Sequence, residues 1–149
     1  MKARLAIDIV MESFDLKGIR LTDGGTTRFG IDSWRWKTLV WVCQRAWDIY
    51  GDDRQTINFS QWTWNDGAGL ASVPTARSLA DALDQFVRGR PDDYKLQRHF
   101  TDDEKIEIAQ IHGPDQAGAV KAMAKYVIDV RDVHSFAKWL RTIASFQIW

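Results

Sequence analysis

The chain has 149 residues, of which 45% are apolar, and its twenty basic residues balance twenty acidic ones. This length suits one domain built around one core, and the apolar share excludes an extended disordered chain. The absence of net charge argues against a dominant electrostatic surface for nucleic acid or for an anionic membrane. We therefore predict one domain over residues 1–149 whose partner is neither a nucleic acid nor a membrane.

Location is constrained by three further features. The longest strongly apolar run lies around residues 38–43, far short of the roughly 20 residues that span a bilayer. No signal-peptide pattern develops after Met1, because Asp8 interrupts the apolar residues there. Cys43 is the only cysteine, so an internal disulfide is excluded. Together these features predict a cytoplasmic protein.

The first predicted element is a small antiparallel β unit. Residues 3–10 alternate loosely between apolar and polar side chains, which suits a half-buried strand, although a helix over residues 3–13 is the alternative. A second alternating piece covers residues 19–22, after Gly18, and precedes the turn signal Asp23-Gly24-Gly25.

A helix is predicted from Asp32 or Ser33, either of which is a good N-cap, to about Tyr50, with Gly51 placed to end it. One broad face of this helix is apolar. Its members are Trp36, Leu39, Val40, Cys43, Ala46, Trp47 and Tyr50. The opposite sector is otherwise polar but holds two indoles. Its members are Trp34, Lys37, Trp41, Gln44, Arg45 and Asp48.

The middle of the chain predicts a loop followed by a helix. Residues 57–64 suit a short aromatic strand or an extended loop, and Asn65-Asp66-Gly67 is a strong turn signal. A helix then begins at Ser72 and runs to about Arg88. Within it, Asp84 and Arg88 are spaced for an ion pair.

The last third is predicted to be mostly helical. Thr101 and Glu104 form a capping box before a helix of roughly a dozen residues, with a strand as the alternative around residues 106–108. Helical patterns resume over residues 115–128 and 132–145, and the last four residues suit an edge strand. The elements together predict a mainly α fold with a small antiparallel β element, of the α+β class.

Several segments resemble a family of small uncharacterised bacterial and phage proteins. The matching pieces are Phe29-Gly30-Ile31-Asp32 with Trp34, Leu39, Tyr50-Gly51, Asn65-Asp66-Gly67, Ala76-x-x-Leu79-Ala80-x-Ala82-Leu83, Phe136-x-x-Trp139-Leu140-Arg141 and Phe146-x-Ile148-Trp149. These are mainly core and turn residues, and Asp52-Asp53 stands where the family has an aromatic-proline segment. The resemblance implies a bacterial or phage setting and a single domain. It carries no established activity, so it assigns no functional residues.

No pattern in the chain is typical of a catalytic, metal or cofactor site. Cys43 falls on the apolar helix face, which predicts an inert core thiol. The histidines are spread singly, without zinc-site spacing, and the acidic pairs occur in turns or at helix starts, where aspartate is favoured. These residues are His99, His112, His134, Asp52-Asp53, Asp92-Asp93 and Asp102-Asp103. We therefore predict no catalytic residue, no metal ligand and no cofactor, and an enzyme is the less favoured class.

The tryptophans, eight in all, are the strongest remaining signal. Trp36 and Trp47 are predicted to lie in the core. The two indoles of the polar sector have basic residues three and four positions away, close enough for cation–π contacts. Our first interpretation is that another segment covers them, with residues 146–149 as the candidate. The alternative is an exposed aromatic–cationic patch, a composition typical of protein interfaces.

Trp62 and Trp64 support a separate interpretation, because Gln61, Asn65 and Asp66 lie beside them. Aromatic platforms flanked by amides and carboxylates suit sugar rings or nucleobases.

From these patterns we predict a non-enzymatic module that binds another protein, such as an inhibitor, immunity or accessory protein of bacterial or phage origin. The alternative is a small-molecule or carbohydrate binder, or an enzyme, with a pocket near residues 62–66. Self-association through the same aromatic surfaces is a further option. The candidate binding residues are Trp34, Lys37, Trp41 and Arg45, followed by Trp62 and Trp64.

Overall fold

A computed structural model describes residues 13–63, 69–97, 100–112 and 124–148. In these ranges the chain forms four helices, a four-stranded antiparallel sheet and a two-stranded one. Buried residues of the large sheet and of three of the helices join in one apolar core. The predicted α+β class with a mainly helical chain is thereby confirmed.

The large sheet has the strand order β2-β1-β6-β3. Its strands are β1 (Ser13–Arg20), β2 (Thr26–Asp32), β3 (Gly69–Leu70) and β6 (Ile143–Ile148). β6 therefore lies between β1 and β3, so the edge position predicted for residues 146–149 is wrong in its described part. β6 pairs with strands that are distant in sequence, since Leu16 is opposite Ile148 and Gly69 is opposite Gln147. A local sequence pattern cannot predict such pairings.

The first hairpin is longer than the sequence predicted. Gly18 was expected to precede a strand but lies inside β1. An ideal Cβ at this position would lie 2.7 Å from the Trp139 ring, so the strand has no room for a side chain there. The piece predicted at residues 19–22 is therefore split, and the turn begins at Leu21. The sequence missed β2 because Thr27, a polar residue, faces inward there and weakens the alternation. The predictions for residues 1–12 lie outside the described ranges.

The long helix α1 (Ser33–Tyr50) has the predicted bounds. The Asp32 carboxylate accepts a hydrogen bond from the Arg35 backbone N–H at 2.9 Å, which satisfies one of the free donors of the first turn. At Gly51 a side chain would meet the Trp47 carbonyl oxygen at 2.4 Å, so the chain leaves the helix at a residue without one. Local capping therefore fixes both ends of α1.

The second helix, α2 (Val73–Phe86), is capped by Ser72 as predicted and ends two residues before the expected Arg88. The Asp84 carboxylate contacts the side chain of His134, in α4 (Val130–Leu140), and that of Arg141, which follows this helix. The prediction that Asp84 pairs within its own helix missed this contact, because α4 is far away in sequence.

The remaining elements follow a short connection. Strands β4 (Lys95–Leu96) and β5 (Ile128–Asp129) pair with each other, and α3 (Asp102–His112) begins with the predicted Thr101–Glu104 capping box. The helix predicted over residues 115–128 lies largely outside the described ranges, and its last residue begins β5. Helix α4 starts and ends earlier than the predicted 132–145, because Asp129 caps it and the chain turns at residues 141–142 into β6.

Candidate functional site

The outward side of α1 carries four residues at every fourth position, Lys37, Trp41, Arg45 and Ile49. We call them the α1 stripe. Residues four apart on a helix are surface neighbours, so the stripe runs along one side of α1. Lys37 and Trp41 are half-buried, Arg45 is exposed, and Ile49 is 57% exposed. A single exposed apolar side chain is common on protein surfaces, but Ile49 continues a stripe of aromatic and cationic groups, which is typical of an interaction surface.

Trp41 and Arg45 form the centre of the α1 stripe. The Arg45 guanidinium carbon lies 6.0 Å from the centroid of the Trp41 ring, at the outer limit of a cation–π contact. One side of the Trp41 indole packs against the core, which fixes its position, and the remainder is open. The centre of the stripe is therefore a partly buried aromatic ring with an exposed cation beside it.

Trp34 is not part of an exposed patch. Its side chain is only 8% exposed, because the Tyr126 ring meets it edge-on at 5.1 Å and the Lys125 ammonium lies 4.9 Å from its ring centroid. Intramolecular cover was our first interpretation, and for Trp34 it is confirmed. The exposed-patch alternative is wrong for this residue.

The cover comes from a segment that the sequence did not indicate. The Thr38 hydroxyl donates a hydrogen bond to the Tyr126 carbonyl, and Phe100 meets the other side of the Tyr126 ring at 5.1 Å. Residues 146–149 were the predicted cover for Trp34 and Trp41. For the described residues of this segment the prediction is wrong, because Phe146 packs in the core against Trp62 and Trp139.

Trp62 lies in the core and is 1% exposed. It stacks on Trp36 at 6.1 Å with an interplanar angle of 10°, and it contacts the rings of Phe59 and Phe146. The Trp36 indole N–H donates to the Trp62 carbonyl at 2.7 Å. An exposed platform built on Trp62 is therefore wrong, since both faces of the ring are occupied by the protein. Trp64, Asn65 and Asp66 lie outside the described residues.

Extended structure was expected around Trp62, and the structure shows a different arrangement. Residues 59–61 form a single 3-10 turn that lets Phe59 and Trp62 point into the core together. The strand alternative over residues 57–64 is therefore wrong in its described part.

The thiol of Cys43 is fully buried on the inner face of α1. Burial without a cationic neighbour raises its pKa, because the thiolate would lose its hydration. The prediction that Cys43 lies in the core is confirmed, and its lack of reactivity stays a prediction.

Charged side chains near α2 and α4 form a surface network. Arg141 Nη2 lies 2.8 Å from Asp81 Oδ1 and 2.6 Å from Asp84 Oδ2, and His134 Nδ1 lies 3.3 Å from Asp84 Oδ1. The hydrogen bond to Asp81 is the main cause of the raised pKa of Arg141. The network joins two helices, and all four side chains are at least partly exposed. It therefore links α2 and α4 through ion pairs at the protein surface.

Within the described part of the chain, no three His, Cys, Asp or Glu side chains converge as a metal site would require. In the acidic pair Asp52-Asp53, the Asp52 carboxylate accepts hydrogen bonds from the guanidinium and from the backbone N–H of Arg54. These bonds lower the pKa of the Asp52 carboxyl.

Surface hollows in the described ranges lie away from Trp62. One of about 500 Å³ lies on the outer face of the large sheet, between Lys17, Gly69 and Gln147. Another of about 330 Å³ lies beside the C-terminal end of α1, lined by Trp47, Asp53 and neighbouring residues. Neither is bordered by the α1 stripe.

Two contributors to this region escaped the sequence analysis. Ile49 lies eight positions after Trp41, on the same side of the helix, and this spacing was a usable signal for an apolar extension of the patch. Lys125 lies over Trp34 although the two are 91 positions apart, and nothing in the local sequence of either residue indicates the contact.

Comparisons of the chain with family models, with curated proteins and with solved structures found no match. None of the helices in the described ranges has the length and apolar character needed to cross a membrane. The function therefore has to be argued from the geometry of the chain itself.

Proposed function

We propose that this protein is a non-enzymatic module that binds another protein through the α1 stripe. The observation that carries the proposal is the exposed apolar side chain of Ile49 in line with Arg45 and the half-buried Trp41. Aromatic and arginine side chains are enriched at the centres of protein interfaces, where they bury a large area with few rotatable bonds.

The surroundings of the α1 stripe support a protein partner over a small molecule. Tyr50, next to Ile49, is 44% exposed and extends the apolar surface at the end of the helix. The two hollows at the outer sheet face and at the end of α1 are not lined by the stripe, whereas small ligands favour concave sites. No specific observation favours the alternative pocket near residues 62–66, because Trp62 is enclosed.

The biological setting belongs to the same proposal. An inhibitor, immunity or accessory role in the cytoplasm of a bacterium or in a phage fits a small module with a single cysteine. The resemblance noted above supports that setting only as an expectation.

The test is affinity recovery of the partner from native cells with surface variants. Arg45→Glu and Ile49→Asp change exposed positions, so we expect thermal stability to change little while recovery of the partner falls at least about tenfold. Ile106→Asp is the matched control, since Ile106 is 54% exposed and lies on a different helix, α3. Equal recovery with all three variants would refute the proposal.

A further inference from the structure

The sheet has an outer strand that is long and open. β2 pairs with β1 on one side over residues 26–32, and among the residues described no strand pairs with its other side. Such an edge presents N–H and C=O groups that accept another strand. Natural edge strands are commonly shortened, bulged or interrupted by proline, and β2 shows seven regular residues without proline. Within the described ranges, this edge of β2 is therefore open to pairing with another strand.

The last five residues of β2 are self-complementary. Its sequence reads Arg28-Phe29-Gly30-Ile31-Asp32, with a cation two positions before Gly30 and an anion two positions after it. Apolar residues flank Gly30 on both sides. In a strand, alternate residues share a face, so Arg28, Gly30 and Asp32 lie on one face and Phe29 and Ile31 on the other.

We propose that two copies of this chain pair edge to edge through β2, antiparallel, about a two-fold axis at Gly30. Arg28 of each copy then lies opposite Asp32 of the other, and Phe29 lies opposite Ile31. The contact is isologous, as in most two-fold dimers. It joins two four-stranded sheets into one continuous sheet, and it is independent of the α1 stripe and of the proposed function.

Charge selects this register over its neighbours. An axis at Arg28 would place the two Arg28 side chains opposite each other, and like charges directly opposite are destabilising. An axis at Phe29 would place Arg28 opposite Gly30 and leave Asp32 opposite Thr26. Only the axis at Gly30 gives two opposite-charge pairs by symmetry.

The side chains involved are accessible. The Arg28 side chain is 61% exposed and that of Asp32 is 44% exposed. Each already has a partner within the chain, Asp15 and Arg35 respectively. A guanidinium carries five N–H donors and a carboxylate about four acceptor sites, so each group can take a second partner. Apart from Gly30 and its two chain neighbours, no described atom lies within 4 Å of the point where a side chain at Gly30 would begin.

Disulfide trapping tests the pairing and its register together. Residues directly opposite in antiparallel strands have Cα atoms roughly 4.5–5.5 Å apart, within the range that a disulfide bridges. Gly30→Cys is therefore expected to form a covalent dimer under mild oxidation. Thr26→Cys is the matched control, because the two copies of residue 26 would lie about 27 Å apart in this register. Cys43 is buried and gives no background.

Each outcome of this experiment decides the proposal. A covalent dimer with Gly30→Cys but not with Thr26→Cys supports it. Equal trapping of both variants, or no trapping of Gly30→Cys, overturns it. Sedimentation of the unmodified chain adds an independent readout: we expect the mass to approach twice that of one chain as concentration rises. A single-chain mass throughout the series would also overturn the proposal.

Charge variants separate the intermolecular pair from the intramolecular one. Arg28→Glu places two carboxylates opposite each other and is expected to weaken the dimer at least about tenfold. Asp15→Asn removes the intramolecular partner of Arg28 and is expected to leave the dimer in place. Equal weakening by both variants would show that the Arg28–Asp32 pairing is absent and would overturn the proposal.

Discussion

Trp36 and Trp62 show how a tryptophan-rich chain satisfies its indoles internally. The parallel stack buries both rings, and the Trp36 N–H finds a carbonyl acceptor in the same contact, so no polar atom of that ring is left unpaired. Trp41, in contrast, lies half in and half out of the core. Trp36 and Trp62 are therefore core residues, whereas Trp41 contributes to both the core and the surface.

Truncating Trp62 is expected to be severely destabilising. Trp62→Ala removes a fully buried ring that contacts three other rings, so we expect a loss of about 3–5 kcal/mol in the free energy of unfolding, measured by urea titration. Ile49→Ala, at an exposed position, is the control and should change that free energy by no more than about 0.5 kcal/mol. Similar effects of both variants would contradict the placement of Trp62.

Thiol reactivity provides a second test at this scale. Because burial raises the pKa of Cys43 and closes access to it, we expect no reaction with an aromatic disulfide reagent in the native protein and full reaction in denaturant. Rapid labelling of one thiol per chain under native conditions would show that α1 is packed differently.

Residue periodicity predicted which side of α1 each indole occupies, but not what lies over it. The helical pattern placed Trp34 and Trp41 correctly in the sector away from Cys43. Whether such a side chain is buried depends on segments distant in sequence, here Tyr126 over Trp34. The sequence therefore predicted the helix face on which the exposed residues lie, but not which residues of that face are exposed.

Among the elements, those with local signals were predicted best. Both ends of α1 follow from Asp32 and Gly51, the start of α2 follows from Ser72, and the start of α3 follows from a capping box. The strands were predicted poorly, because β1, β3 and β6 pair across most of the chain length. Strand positions depend on contacts that a local pattern does not contain.

The pairing of β3 with β6 makes a specific prediction for Gly69. An ideal Cβ there would lie 2.1 Å from the Phe146 carbonyl oxygen, so Gly69→Ala forces the two strands apart. We expect a loss of about 1–3 kcal/mol in unfolding free energy, as for other overpacking changes. Gly30→Ala is the matched control, because its Cβ would meet open space. At low protein concentration the control should be nearly neutral, and a reversed order would contradict the register of β3.

At the scale of the whole molecule, acidic pH is expected to weaken the fold. Hydrogen bonds from Arg20 and Arg54 lower the pKa values of the Asp23 and Asp52 carboxyls in the folded state. A group with a depressed folded pKa stabilises above its unfolded pKa, and that contribution is lost as pH falls through the folded pKa. The free energy of unfolding should therefore decline as pH drops below 3.8, the unperturbed aspartate value.

The measurement is urea unfolding of the wild type and of the double variant Asp23→Asn with Asp52→Asn across this pH range. The double variant should show a shallower decline, because two of the titrating groups are gone. An identical slope would mean that these two turns contribute nothing to acid sensitivity.

Of the two proposed contact surfaces, the α1 stripe and the β2 edge, the central claim concerns the α1 stripe. Photo-cross-linking at Ile49 tests that claim most directly, using a photoreactive phenylalanine analogue in native cells, with Ile106 as the matched exposed position. We predict one discrete adduct between the chain and a different protein from position 49 and none from position 106. The same pattern from both positions, or no adduct at position 49, would contradict a binding role for the α1 stripe.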